Sequence, residues 1–252
     1  MVYFCQIIDL LYDMGLNNTY KKQLFQPNFI SLFINPFFII RYGLYKAIKK
    51  EATNLTGKIL DFGCGDKPYK SLFVNADEYL GLDIENEGHS HEKEEIDVYY
   101  DGKTIPFENE HFDSVFSSEV FEHVFDIDSI LDEISRVLKK GGKMLVSLPF
   151  AWNEHEEPND FGRYTSFGIK HLLKKHGFEV IRLTKTGHFA AVVAQLVPLY
   201  IYELISTKNK YFNLLLNFLF MSPFVIVGLI VSSIMPRNRS LYFNNVVLAV
   251  KN

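Results

Sequence analysis

The chain has 252 residues, of which 48% are hydrophobic and 22% are charged. This length predicts one large domain or a domain with an appendage. The apolar content excludes a disordered or collagen-like chain. The two cysteines, Cys5 and Cys64, are too few for a disulfide framework, and no Cys/His group has zinc spacing, so we expect no metal.

Charge is distributed unevenly along the chain. Residues 1–162 hold 15 Lys and Arg against 28 Asp and Glu, a net of −13, whereas residues 163–252 hold 11 against 2, a net of +9. This asymmetry indicates that the last third faces something anionic, such as phosphate groups or a membrane surface. Asp9 and Asp13 interrupt the apolar N-terminus, which therefore does not resemble a signal peptide. We expect a cytoplasmic protein, or one on the cytoplasmic face of a membrane.

From residue 57 onward, the pattern alternates between strands and helices. Short apolar runs predict strands, and a helix with one apolar face is predicted over 127–138. Gly141 and Gly142 are expected to end that helix, and Ser166 is expected to cap the next one. The predicted strands are 57–63, 79–83, 96–99, 112–117, 143–149, 178–185 and 241–250. The alternation predicts an α/β fold, a parallel sheet with helices on both faces.

Residues 186–240 break this alternation. The 26 residues 211–236 carry no charge, and 189–206 form a second apolar run whose only charge is Glu203. The first run is long enough to cross a bilayer core. A single crossing is nevertheless excluded, because the last strand must rejoin the sheet on the same side. A two-span hairpin and a pair of broken helices at the membrane interface or over the active site both stay open.

The residues at the tip and middle of this insert favour the second arrangement. Lys208 and Lys210 would emerge on the non-cytoplasmic side of a hairpin, against the usual lysine bias. Pro198 and Pro223 fall within the two segments and bend them. We therefore favour a helical pair that dips into one leaflet, with a soluble cap as the alternative. The predicted divisions are an N-terminal helical cap at 1–56, a core at 57–186, an apolar helical insert at 187–240 and the last core strand at 241–252.

The sharpest local signal is residues 60–66, Leu-Asp-Phe-Gly-Cys-Gly-Asp. A strand that ends in Gly-x-Gly lets the backbone approach a ligand closely. Asp83 ends the next strand, 18 residues after Gly65, where an acid can accept hydrogen bonds from two ribose hydroxyls. Pro68 stands where a dinucleotide fingerprint has its third glycine. The two aspartates of the loop suit a ligand with an ammonium and a sulfonium better than a pyrophosphate.

Over about residues 57–185, these motifs resemble the class I S-adenosylmethionine-dependent methyltransferases. The glycine loop resembles the family's first motif, and residues 112–124 resemble the fourth-strand motif of the branch that methylates small molecules, quinones and sugars. The resemblance implies a Rossmann-like seven-stranded sheet and S-adenosylmethionine as cofactor. The cofactor-binding residues that it implies are Asp61, Gly63, Cys64, Gly65, Asp83, Ile84, Asp101, Gly102 and Ser118.

The loop at 150–165 follows predicted strand five, at the edge where such a sheet binds its ligands. It resembles the His…Asp-Phe-x-Arg-Tyr segment of methyltransferases encoded with bacterial surface-polysaccharide genes. We interpret His155 as the candidate base, because imidazole titrates near neutral pH. Arg163 is either a clamp for a phosphate or carboxylate or a structural partner of Asp160. Trp152 either stacks on a sugar or anchors the loop. The candidate catalytic residues are thus His155, Asp160 and Arg163.

We predict an enzyme that O-methylates a sugar of a surface glycan or of its lipid-linked precursor. The alternatives are a methyltransferase that acts on an isoprenoid quinone or another membrane lipid, and a non-catalytic binding module of the same fold. Pro68 disfavours a nicotinamide dehydrogenase. We expect a small-molecule, glycan or lipid-linked acceptor, peripheral membrane contact through 189–236, and no nucleic-acid partner.

Overall fold

A computed structural model describes residues 18–84, 96–207 and 209–252, and these form two compact units. The helical unit comprises the described residues up to 46 together with 151–155 and 185–244. The sheet unit comprises the described parts of 47–150, 156–184 and 245–252. The predictions on the N-terminal apolar run, on Cys5 and on Lys208 lie outside the described residues.

The strands form a seven-stranded sheet in the order β3-β2-β1-β4-β5-β7-β6. Their bounds are β1 Gly57–Phe62, β2 Ala76–Ile84, β3 Val98–Tyr100, β4 Phe112–Ser118, β5 Leu138–Pro149, β6 Phe178–Lys185 and β7 Asn244–Lys251. The pairings β1–β2, β1–β4, β2–β3 and β4–β5 are parallel. The Rossmann-like methyltransferase sheet is therefore confirmed.

The last strand departs from the predicted all-parallel sheet. Backbone hydrogen bonds join Thr186 to Asn244 and Gly177 to Asn252, so β7 runs antiparallel to β6. The reason is topological. The chain leaves β6 at its carboxyl end and, after the insert, re-enters the sheet at that same end.

The described helices range from 4 to 17 residues in length. Their bounds are α1 Asn18–Phe25, α2 Ser31–Ile34, α3 Phe38–Ala52, α4 Ile127–Val137, α5 Ser166–Lys175, α6 Phe189–Ile205, α7 Lys210–Leu216 and α8 Ser222–Ile234. A π-helical turn, Asn217–Met221, joins α7 to α8. The two long apolar runs of the sequence are thus helical, as the insert prediction requires.

Two predicted helix ends are wrong, and each has a local cause. Helix α4 ends at Val137, before the glycine pair, because Leu138 is already extended and pairs with Phe112 in the sheet. Gly141 and its neighbour therefore lie inside β5. The residue that caps α5 is Thr165, whose hydroxyl accepts a hydrogen bond from the backbone N–H of Gly168 at 3.0 Å.

Each unit has its own apolar core. That of the sheet unit combines β1, β4 and β5 with one face of α4, and it includes Leu60, Phe62, Val115, Leu131, Ile134, Met144 and Val146. That of the helical unit combines the start of α3 with α6 and α8, and it includes Phe37, Phe38, Ile39, Val192, Leu199, Tyr202 and Val225. These buried sets fix the backbone from which the site residues project.

A buried glutamine organises the helical unit. The side-chain Oε1 of Gln195 on α6 accepts from the backbone N–H of Ile39 at 3.1 Å, and its Nε2 donates to the carbonyl of Pro36 at 2.8 Å. These bonds satisfy backbone groups at the start of α3 that lack partners within the helix. On the facing helix, a Cβ at Gly228 would lie 2.9 Å from Ala194, so α6 and α8 pack closely there.

Candidate active site

The glycine loop follows β1 and is tied to β2. The backbone N–H groups of Gly63 and Cys64 both donate to the carbonyl of Leu82, at 2.9 and 3.2 Å. Gly63 has φ +69°, and a Cβ there would lie 2.4 Å from Cγ2 of Val120. Only glycine satisfies both the backbone conformation and the close approach of the chain after β4.

Gly65 lies at the partly exposed rim of this loop and contacts the predicted acid. Its φ is +43°, and no heavy atom lies within 4 Å of the position that a Cβ would occupy. Its N–H donates to Oδ2 of Asp83 at 2.8 Å, and Oδ1 of Asp83 accepts from the N–H of Ile84 at 2.8 Å. The structure thus brings the backbone of Gly65 and the carboxylate of Asp83 together, and the space beside Gly65 is open. This arrangement fits the nucleoside and methionine parts of S-adenosylmethionine.

Asp61 lies beneath the loop and is almost fully buried. Its Oδ2 accepts a hydrogen bond from the hydroxyl of Tyr79 at 2.6 Å. Burial raises the pKa of Asp61 to about 7, and the neighbouring Asp83 adds to that rise, although the Tyr79 hydroxyl and Lys67 act in the opposite direction. Asp61 is therefore a carboxyl group that changes charge near neutral pH.

Cys64 occupies the middle of the loop as a buried thiol. Burial, together with the negative charges of Asp61 and Asp83, raises the pKa of this thiol far above its usual range. Its sulfur fills space against β2, where a Cβ at Gly81 would lie 2.6 Å from it. These surroundings suit a space-filling residue and not a nucleophile.

Sequence reasoning missed a buried lysine below the same loop. Lys67 has φ +50°, and its Nζ lies 2.5 Å from Oδ2 of Asp97. That carboxylate oxygen also accepts from the N–H of Gly81 at 2.6 Å. Burial alone would raise the pKa of Asp97, but the hydrogen bonds from Gly81 and Lys67 lower it. The sequence feature that reflects this buried lysine is the glycine at position 81. A larger residue there would clash with Lys67, because a Cβ would lie 2.2 Å from its Cε.

The predicted adenine-side residues lie at the ends of β2 and β3. Ile84 pairs with Tyr100 across these strands and keeps 39% of its surface exposed. Gly102 follows with φ +76°, and a Cβ there would lie 3.9 Å from Cγ2 of Ile84. Oδ1 of Asp101 accepts from the N–H groups of the next turn at 2.9 and 2.8 Å. An exposed apolar side chain beside an ordered carboxylate suits a flat base that carries an amino group.

At the end of β4, three side chains form a short hydrogen-bonded chain. The hydroxyls of Ser118 and Ser147 lie 2.9 Å apart, and Ser147 donates to Oε1 of Glu119 at 2.8 Å. Glu119 has φ +56°, and its N–H donates to the carbonyl of Ser147 at 3.0 Å. A residue other than glycine in this conformation indicates a local constraint, of the kind that concentrates at functional sites.

The predicted catalytic residues fall in different units. In the sheet unit, Arg163 forms a bidentate ion pair with Asp160: Nη2 donates to Oδ2 at 2.6 Å and Nη1 donates to Oδ1. Burial alone would lower the pKa of Arg163, but the pairing with Asp160 raises it. The structural pairing that the sequence left open is therefore present.

His155 belongs to the helical unit, where it is buried and its Nδ1 lies 3.3 Å from the carbonyl oxygen of Asn153. Trp152 packs edge to face on Phe37 in that unit, with ring centroids 5.7 Å apart. Of the two interpretations of Trp152, this contact favours the loop anchor. The structure does not place His155 in the same unit as Asp160 and Arg163.

Comparisons with known proteins agree with the fold and the loop. Residues 60–146 match the family model described as "Methyltransferase domain". The chain is 28% identical over 143 residues to an uncharacterized protein of Methanocaldococcus jannaschii, covering 52% of this chain and 68% of that one. It is 31% identical over 125 residues to sterol 24-C-methyltransferase of Candida albicans, which covers 45% of this chain but only 33% of the sterol enzyme.

Among solved structures, phosphoethanolamine N-methyltransferase 2 of Haemonchus contortus, in complex with S-adenosyl-L-methionine, superposes with a TM-score of 0.51. The two are 20% identical, and the superposition covers 96% of this chain and 59% of that one. This likeness shows the shared fold.

The sheet, the glycine loop with Asp83 and the matched domain define the class of protein. Residues 60–146 form a methyltransferase domain, so the protein is an S-adenosylmethionine-dependent enzyme with S-adenosylmethionine as cofactor. The predicted enzyme class and cofactor are thereby confirmed.

Proposed function

We propose that this enzyme transfers a methyl group to a sugar hydroxyl of a surface glycan or of its lipid-linked precursor, at the cytoplasmic face of a membrane. The observation that carries the proposal is an apolar helical surface in the same chain as the methyltransferase domain. Residues Phe212–Ile234 form a continuous helical stretch of 23 residues with mean hydropathy 2.5, and only 28% of its most apolar window is buried.

Large apolar side chains are exposed along the helices of the insert. On α6 they include Val193, Leu196, Val197, Tyr200 and Leu204, and from α7 to α8 they include Phe212, Leu215, Phe218, Leu219, Phe220, Phe224, Val227, Ile230 and Ile234. An exposed apolar surface of this extent is typical of a protein or membrane interaction site. Arg237 and Arg239 follow α8 and are exposed, where they can meet anionic headgroups. A membrane-borne acceptor explains why one chain combines this surface with a methyltransferase domain.

Within the sheet unit, the chain's own residues account for cofactor binding. Gly63 and Gly65 let the backbone approach the ligand, and Asp83 accepts hydrogen bonds from ribose hydroxyls. Asp61 places negative charge beneath a ligand that carries an ammonium and a sulfonium. When bound, S-adenosylmethionine supplies a methyl group on a positively charged sulfur, so alignment of the acceptor oxygen is the main requirement.

His155 is the proposed proton acceptor for the sugar hydroxyl. The carbonyl of Asn153 can only accept, so a hydrogen bond from Nδ1 would leave Nε2 as the basic nitrogen. Removal of a general base commonly costs 10²–10⁴-fold in rate, roughly, without loss of cofactor binding. The variant His155→Ala should therefore lose activity and still bind S-adenosylmethionine.

The test supplies tritiated S-adenosylmethionine, lipid-linked oligosaccharide and the full-length enzyme. The proposal predicts label that mild acid releases as a methylated sugar, dependent on both Asp83 and His155. Label that stays with the lipid after acid treatment would overturn it. The variant Asp83→Asn controls for label transfer that does not use the cofactor site.

A second acceptor class is favoured by one comparison. The relative from Candida albicans is named as a sterol methyltransferase, and the exposed helical surface would equally suit an isoprenoid or sterol-like lipid. Under this alternative, an extract of isoprenoid lipids replaces the oligosaccharide as acceptor. Acid-stable label in the lipid fraction would then be the supporting result.

A further inference from the structure

The lysine that follows the glycine loop is buried, although it carries a charge. Lys67 stands two residues after Gly65, and only 3% of its side-chain surface is exposed. Lysine is almost never buried to this extent unless an opposite charge pairs with it. Here the partner is Asp97, whose side chain is 44% exposed. An ion pair of this kind contributes little net stability, so its place beside the cofactor loop points to a role in positioning.

The backbone of Lys67 adopts a conformation that is rare for lysine. Its φ is +50°, in the left-handed region. Its N–H donates to the carbonyl of Cys64 at 2.8 Å, and its carbonyl accepts from the N–H of Lys70 at 3.1 Å. Two consecutive turns thus meet at Lys67. Such a conformation persists only where the surrounding contacts fix it.

The side chain of Lys67 supplies one of these contacts, because it attaches the loop to β2. Gly81 and Asp83 are alternate residues of this strand, so their side-chain positions lie on the same face. On that face, Asp83 accepts from the N–H of Gly65. The stem of Lys67 crosses the strand at Gly81, where a Cβ would lie 2.2 Å from its Cε. Lys67 therefore gives the loop a second point of attachment to β2, beside that of Gly65.

Asp97 is itself fixed to the same strand. Its Oδ2 accepts from the N–H of Gly81 at 2.6 Å, and its own N–H donates to the carbonyl of Gly81 at 3.1 Å. The hydrogen bonds from Gly81 and Lys67 lower the pKa of this carboxyl group, although burial alone would raise it. Asp97 is therefore an ionised, fixed carboxylate at neutral pH, which defines one position for the ammonium group of Lys67.

We propose that Lys67 and Asp97 are positioning residues for S-adenosylmethionine binding. Their ion pair holds the glycine loop on β2, in the conformation that presents Gly65 to the ligand and directs its N–H to Asp83. The proposal rests on the proposed cofactor site at Gly65 and Asp83, and it does not depend on which acceptor is methylated. Without the pair, only part of the molecules would hold the loop in this conformation, and the apparent affinity would fall by that fraction.

Calorimetric titration of the full-length enzyme with S-adenosylmethionine tests the pair. Lys67→Met keeps an apolar stem and removes the charge, and Asp97→Asn keeps an acceptor for the N–H of Gly81. At pH 8, each variant should bind the cofactor about tenfold more weakly than the wild type, because a charge-assisted hydrogen bond is lost. Lys140→Met, at an exposed position of the sheet unit, is the matched control and should bind like the wild type.

The double variant shows whether the two residues act as a unit. Each single change already breaks the same ion pair, so their effects on the dissociation constant should not add. The variant with both Lys67→Met and Asp97→Asn should bind no more weakly than the weaker of the two single variants. Effects that multiply would mean that the two residues act independently, which would contradict the proposal.

The pH dependence of binding separates this charge pair from a merely structural contact. The groups that face Asp61 are Tyr79, Asp83, Lys67 and Asp97, of which Lys67 lowers its pKa and Asp97 raises it. The pH below which S-adenosylmethionine binding weakens should therefore move upward in Lys67→Met and downward in Asp97→Asn. A general loosening of the loop would not shift the two variants in opposite directions.

Thermal unfolding of each variant shows that it is folded, and if Lys67→Met does not fold, Asp97→Asn decides by the same criteria. Wild-type affinity at pH 8 in the folded variants would overturn the proposal, and so would a pH dependence that stays at its wild-type position. Titration of Asp83→Asn keeps the two proposals apart. Wild-type affinity in Asp83→Asn would count against the cofactor site itself, whereas weakened binding there with wild-type affinity in Lys67→Met and Asp97→Asn would count only against the positioning role.

Discussion

Asp61 should make cofactor binding depend on pH. Its pKa of about 7 means that the carboxyl group is largely neutral below that pH and ionised above it. The groups that face it are Tyr79, Lys67, Asp83 and Asp97. Because the ligand is cationic, binding should favour the ionised form, and the dissociation constant for S-adenosylmethionine should rise by up to about tenfold per pH unit below pH 7.

Calorimetric titration at pH 6, 7 and 8 measures this dependence. The control Asp61→Asn keeps an acceptor for the Tyr79 hydroxyl but cannot ionise, so its affinity should vary less over this range. If the affinity of the wild type changed with pH only as that of Asp61→Asn does, ionisation of Asp61 would not control cofactor binding, which would contradict the prediction.

The glycines of the loop provide a residue-scale test of where the ligand lies. Gly65 and Gly141 both have positive φ, +43° and +74°, and a Cβ at either would meet no atom within 4 Å. Replacing either by alanine should cost about 1–2 kcal/mol of folding free energy through backbone strain alone. Only Gly65→Ala should also weaken S-adenosylmethionine binding, measured by calorimetry beside urea unfolding. Equal affinities in the two variants would show that the ligand does not approach Gly65.

At the scale of single residues, the sequence predicts contacts between groups whose spacing along the chain belongs to one local motif. Gly65 lies in the loop after β1 and Asp83 lies on β2, the next strand along the chain, so their spacing along the sequence implies their contact. Lys67 and Glu122 escape such reasoning, because a charged residue in a loop is ordinarily solvated. Only the tertiary fold buries them.

The insert helices α6, α7 and α8 carry the element-scale prediction. On α8, Val227 and Ile230 are 57% and 58% exposed. Changing both to serine should weaken binding to anionic vesicles at least tenfold, since burying each such side chain is worth about 1.5–3 kcal/mol. Vesicle co-sedimentation measures the bound fraction.

The matched control changes Val74 and Ile181, which are 73% and 50% exposed in the sheet unit, to serine. Vesicle binding should then be unchanged. Equal loss in both double variants would mean that the helical surface has no special role at the membrane.

Helices and strands could be predicted from the sequence where a residue pattern repeats, whereas some of the residues at which they begin or end could not. The apolar runs predicted β1, β4, β6 and both insert helices, because periodicity and absence of charge act over many residues. The end of α4 depends on the pairing of Leu138 with Phe112, and the direction of β7 depends on where the insert returns the chain. Both are set by contacts between distant segments, which a local pattern does not contain.

At the scale of the whole molecule, the chain pairs a cofactor-binding sheet unit with a helical unit rich in exposed apolar residues. Under the proposed function, the net charge of +9 over residues 163–252 should add electrostatic attraction to an anionic membrane. Because screening weakens such attraction, vesicle binding should fall as salt rises from 0.05 to 0.5 M, although the apolar contribution persists. Vesicle co-sedimentation across that salt range tests this prediction, and vesicle binding that does not change with salt would contradict a role for these charges.

The central claim is that the Gly63–Gly65 bend and the carboxylate of Asp83 together bind S-adenosylmethionine. The most direct test is calorimetric titration of the wild type, Asp83→Asn and the control Asp77→Asn, an exposed position on the same strand. We predict one bound cofactor per chain, affinity weakened about 100-fold in Asp83→Asn through loss of charge-assisted hydrogen bonds, and unchanged affinity in Asp77→Asn. Wild-type affinity in Asp83→Asn would contradict the claim.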